Sequence, residues 1–115
     1  MVLAAGAALL VLLAWGLYVG WLAVDEAAVP AASALPAVPP GADRLGVTRQ
    51  CGSGGCWREL RLRPVSGTSG SHVVGALGLR RERCSRAPLL DPRSTCVGAR
   101  VLPGGDVVVY ATYEW

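Results

Sequence analysis

The 115-residue chain has no lysine, isoleucine, asparagine or phenylalanine, and only one histidine. Without asparagine there is no acceptor for N-glycosylation. Without lysine, all eleven basic residues are arginine. Elsewhere an all-arginine set would point to bidentate recognition of phosphate or carboxylate. Here the missing residues have AT-rich codons, and the abundant Ala, Val, Leu, Gly, Pro and Arg have mostly GC-rich ones. A high-GC genome, of a bacterial kind, accounts for the choice of arginine. The net charge of +3 is modest, and no basic patch is interleaved with aromatic rings. Nucleic acid is therefore not an expected partner.

Catalytic patterns are also sparse. There is no C-x-x-C redox pair and no G-x-S-x-G elbow. The glycine-rich stretch between Cys51 and Cys56 lacks the lysine and following helix of a phosphate loop. Asp and Glu are scattered singly, apart from Asp25–Glu26. That pair reads as the polar stop of an apolar segment. His72 beside Ser71 reads as a polar residue opening a helix rather than a nucleophile–base pair. The expectation is a non-enzymatic protein without a cofactor.

What is present begins with residues 2–24, which carry no charge. As a helix at ~1.5 Å per residue they cover roughly 34 Å, enough to cross a hydrocarbon core. No basic side chain precedes this apolar run, and it is longer than the ~7–15-residue core of a secretory signal. Trp15, Tyr18 and Trp21 gather in its second half, as at a membrane interface. A single transmembrane anchor is expected. Small residues in AAVPAASALPA keep a cleaved signal and a secreted binding protein or inhibitor as the alternative. Gly16 and Gly20 form a G-x-x-x-G pair that lets a second helix approach closely. The expected partners are the lipid bilayer and, through those glycines, a membrane protein or a second copy of the chain.

Residues 25–50 hold Pro30, Pro36, Pro39 and Pro40 and show no apolar periodicity. They read as a linker, reaching roughly 70 Å if extended over residues 25–46. Residues 51–115 read as a small extracytoplasmic α+β domain in the order strand, helix, short strand, β-hairpin. The first strand is Trp57–Arg63, with Leu60 and Leu62 on one face. A helix with Ser71 as N-cap follows, closed by Gly78 in a left-handed cap. The short strand is Leu79–Cys84, with a longer helix running through to Cys84 as the alternative. Residues 95–102 and 107–113 flank the Pro-Gly-Gly-Asp turn as a hairpin. If the first two strands run parallel, the helix makes a right-handed crossover between them. The expected core includes Leu60, Leu62, Val73, Val74, Leu77, Val97, Val101, Val108 and Tyr110.

About 65 residues make a marginal core, so cross-links are expected. Four cysteines allow three pairings. The predicted topology favours Cys51–Cys56 and Cys84–Cys96. Zinc is the weaker reading, because C-x₄-C occurs once and the second pair has eleven residues between its cysteines, leaving His72 as an extra ligand in principle. Oxidised cysteines put the domain outside the cytoplasm. Arg80, Arg81, Arg83 and Arg86 form the densest charge cluster. It reads either as a solvated edge or as a contact for anionic headgroups or envelope polymer. The whole reads as a single-pass, membrane-anchored interaction module.

Overall fold

A computed structural model describes residues 1–25, 27–86 and 90–115. The expectation for Glu26 therefore lies outside the described residues. The first element, α1, runs Val2–Val24. Its side chains are almost all exposed, and only Leu22 is buried. Trp15, Tyr18, Val19 and Leu22 recur at i, i+3, i+4 and i+7, so one stripe faces the rest of the protein. Val19 and Leu22 on this stripe are partly and fully covered. Trp15 Nε1 donates to the carbonyl of Leu90 at 3.4 Å.

The domain is one five-stranded antiparallel sheet of β1 (Ala42–Gly52), β2 (Gly55–Pro64), β3 (Arg83–Arg86), β4 (Ser94–Val101) and β5 (Val107–Glu114). Its spatial order is β1-β2-β5-β4-β3. β4 and β5 are the expected hairpin, and the Leu102 N–H closes its turn on the Asp106 carbonyl. The strand after the helix is Arg83–Arg86, not Leu79–Cys84, and β5 and β4 lie between it and β2. No parallel pair forms among the described strands, so α2 is not a crossover between parallel neighbours.

The clearest departure from the sequence reading is β1. It occupies the second half of the segment expected to be linker, and it pairs with β2 from Ala42↔Pro64 to Gly52↔Gly55. A register shift between Arg44 and Gly46 breaks the two-residue alternation, which conceals the strand. The first half is not a spacer either. Residues 27–41 lie back across the sheet as a strap. The Arg49 guanidinium donates to the Ala27 carbonyl at 2.8 Å, and Arg58 Nε donates to the Pro30 carbonyl at 3.0 Å. Pro30 is fully buried, and Leu35 packs on the core.

The short helix α2 (Gly70–Ala76) covers the same face. Its N-cap is Ser69 rather than Ser71: the Ser69 hydroxyl accepts from the His72 N–H at 3.1 Å. Gly78 ends it at φ +70°, and the Leu79 N–H bonds back to the Val74 carbonyl. This six-to-one closure needs a left-handed residue at position 78, where glycine carries no Cβ penalty. It turns Leu79 into the core, where only 2% is exposed.

Between helix and sheet lie Leu60, Leu62, Val73, Val74, Leu79, Val107 and Val109. Val107 and Val109 are the inward residues of β5, one position out of phase with the expected Val108 and Tyr110. Four valines and alanines within five residues of β5 fit either phase, so the pattern alone does not decide. Val101 is 45% exposed and lies outside this core.

Both edge strands are stapled. Cys51 faces Cys56 across β1–β2, and Cys84 faces Cys96 across β3–β4. Each pair is a disulfide with Cα atoms 4.0 Å apart. The bridges fasten each outer strand to its inner neighbour, where pairing on one side only makes a strand prone to fray.

Candidate functional site

The sheet has a second face that neither α2 nor the strap covers. The alternation of β2 sends Leu60 and Leu62 toward the core, and Trp57, Glu59 and Arg61 to the opposite side. The register then carries this side across the sheet. Glu59 stands opposite Tyr110, and Tyr110 opposite Gly98. Arg61 stands opposite Val108, and Val108 opposite Arg100. Val108 is 1% exposed although it points away from the helix. Its two cross-strand neighbours are arginines, a residue type whose long stem covers apolar surface.

Trp57, Glu59, Arg100, Tyr110 and Thr112 line an open groove of about 240 Å³ on this face. The Tyr110 ring leans over Gly98, where a Cβ would collide with the ring and its hydroxyl. The hydroxyl thereby reaches Glu82 and donates to its carboxylate at 2.8 Å. Burial, followed by that bond to Glu82, pushes the Tyr110 phenol above its ordinary pKa. The neutral phenol is thus held as a donor. Arg100 reaches diagonally over β5 to Glu59 at 3.8 Å, and its side chain stays 63% exposed. The groove therefore offers two aromatic surfaces on strands and a guanidinium that is largely exposed. Such a set binds planar or apolar groups and an acceptor. It contains one carboxylate and no adjacent nucleophile–base pair.

A second cluster surrounds the Cys84–Cys96 bridge, where Glu82 and Glu114 approach the sulfurs. Both sulfurs are spent in the disulfide, and Glu82 already accepts from Tyr110. With thiolates removed, the cluster lacks the ligand set of a structural zinc site.

The third cluster sits where α1 meets the domain. Asp91 and Arg93 form a two-toothed ion pair at 2.9 and 2.8 Å, and the Arg93 guanidinium lies 3.9 Å from the Tyr113 ring centroid. The hydrogen bonds from Arg93 hold the Asp91 carboxyl below the usual carboxylate range, against the opposing effect of burial. Arg93 is 7% exposed, so its charge is neutralised where it is buried.

The arginines singled out in the sequence do not converge. Arg83 shares its face of β3 with Val97, on the helix side, and its guanidinium lies near Gly78. Arg86 alternates to the other face with Cys84. Arg80 folds back against Gly75, and Arg81 is exposed. The four are thus divided between faces rather than gathered into one patch. Gly16 and Gly20 lie on an open face of α1, with no atom within 4 Å of where a Cβ would stand. His72 and Ser71 are exposed on α2.

Sequence reading misses the groove. Trp57 and Glu59 are visibly outward from Leu60 and Leu62, but their neighbours Tyr110 and Arg100 come from strands whose phase only the register fixes. In comparisons with known proteins, the chain matches no family model and shows no significant similarity to any curated protein or solved structure.

Proposed function

We propose that the chain is a single-pass, membrane-anchored interaction module, without catalytic activity, whose sheet domain stands outside the cytoplasm and meets its partner through the open sheet face. The observation that carries the reading is the uncovered groove. Aromatic side chains and arginine are the types that dominate binding energy at protein interfaces, and here they stand on strands rather than loops. Support for the anchor comes from α1, a 23-residue uncharged helix whose apolar side chains have almost no protein to pack against. Support for the extracytoplasmic side comes from two disulfides with no free thiol left over among the described cysteines. The open Gly16–Gly20 face leaves room for a second membrane helix.

Site-specific photocrosslinking in native membranes tests the groove. A benzophenone amino acid at Thr112 is expected to give a discrete adduct, and Trp57→Ala or Arg100→Ala to abolish it. The same adduct formed equally by a probe at Arg44, on a different surface, would refute the assignment of the groove.

A further inference from the structure

We propose that Leu90, in the described segment leading into β4, is a membrane wedge that enters the outer leaflet of the phospholipid bilayer beside Trp15, so that the domain rests on the lipid surface. The inference depends on the anchored reading above, and its test separates the two. Leu90 is 68% exposed, an apolar side chain largely open to its surroundings. Its carbonyl is bound to Trp15 Nε1 at 3.4 Å. Trp15 lies nine residues before the end of α1, about 13 Å along the helix axis. Leu90 is thus tied to the anchor well below its outer end.

The level is compatible with spanning. Residues 2–18 alone cover about 25 Å, the lower limit of what crosses a bilayer, with thinning or snorkelling absorbing the mismatch. Trp15, Tyr18 and Trp21 then mark the interface, where aromatic residues are enriched. Val19 and Leu22, above that level, are the residues the domain covers.

A backbone carbonyl taken into hydrocarbon requires a donor, and Trp15 supplies one to Leu90. The charges that follow are already compensated: Asp91 and Arg93 neutralise each other, and the Tyr113 ring caps the guanidinium. The strap, folded back on the sheet by Arg49 and Arg58, leaves little slack for the domain to rise away from the bilayer.

The test uses the full chain with fluorotryptophan in phosphatidylcholine–phosphatidylglycerol nanodiscs. Leu90→Trp adds one ¹⁹F resonance at an exposed position, and Pro103→Trp, at the exposed turn at the far end of the sheet, serves as the reference. Lipids with a nitroxide near the upper acyl chain are then introduced. The wedge predicts that the signals of Trp15 and position 90 are both lost, while that of position 103 survives. Loss at Trp15 with survival at position 90 overturns the wedge and leaves the anchor standing. Survival at Trp15 overturns the anchored reading, and the wedge with it. Leu90→Asp in the wild-type background gives an independent measure: its peptide over residues 90–93 is expected to exchange amide hydrogens faster in nanodiscs than that of the parent. Unchanged exchange contradicts the wedge.

Discussion

The Tyr110 ring lies across Gly98, its cross-strand neighbour, with no space between them for a methyl group. This contact aims the phenol at Glu82 and leaves one wall of the groove open. An alanine at position 98 must push the ring off the sheet. Gly98→Ala is expected to cost about 1–3 kcal/mol, the usual penalty for overpacking. Gly98→Ala combined with Tyr110→Ala is expected to recover part of that loss in a double-mutant cycle of thermal unfolding. Strict additivity would show that the two residues do not share the space.

The two disulfides contribute unequally. The bridges close loops with sequence separations of 12 and 5. The chain-entropy model gives about 3 kcal/mol for Cys84–Cys96 and about 2 kcal/mol for Cys51–Cys56. Replacing each pair with alanine is expected to lower the unfolding midpoint more for the first. The reverse order, measured by denaturant titration in detergent, would mean that the edge strand β1 depends on its staple for more than loop closure.

Acid should loosen the junction between α1 and the domain. The folded Asp91 carboxyl sits below its unfolded pKa, chiefly through the hydrogen bonds from Arg93. Its contribution is therefore complete above the unfolded value near pH 4 and is lost as pH falls through the lower, folded value. Asp91→Asn is expected to flatten stability below about pH 4 and to lower it at neutral pH, where the buried Arg93 loses its counter-charge. A stability–pH profile identical to that of the parent protein would contradict this role.

The strap should be measurable as protection. Arg58 Nε holds the Pro30 carbonyl, and Arg49 the Ala27 carbonyl. Arg58→Ala is expected to make residues 27–41 cleavable by a nonspecific protease while β1–β5 persist. Equal cleavage rates in variant and parent would mean that the strap is held by Pro30 and Leu35 packing alone.

Much of this fold is legible in the sequence. Residues 2–24 announce a helix by the length of their uncharged run, and the turn after Leu102 announces the β4–β5 hairpin. The cysteine pairs follow from an even count and a short glycine-rich loop, although the geometric reason differs. Each pair bridges facing residues on antiparallel neighbours, rather than a flexible loop at Cys51–Cys56 and two adjacent strand ends at Cys84–Cys96. β1 is hidden because Ala42 and Val47 alone of its residues pack on the core, too few to show a pattern, and the register shift between Arg44 and Gly46 breaks its alternation. Its signal is the two-residue Ser53–Gly54 turn between Cys51 and Cys56, which marks a hairpin rather than a free loop. Prolines suggest a spacer, but Pro30 lacks an N–H and can be buried without an unpaired donor. The candidate groove depends on strand order, β2 beside β5 beside β4, which no local pattern encodes.

The most direct test is the intact mass and thiol state of the protein recovered from carbonate-washed membranes. The account predicts the uncleaved chain in the membrane pellet, unreactive to maleimide until reduced and then labelled at Cys51, Cys56, Cys84 and Cys96. A chain shortened by its N-terminal apolar segment and found in the medium, or one that labels at all four cysteines without reduction, would contradict it.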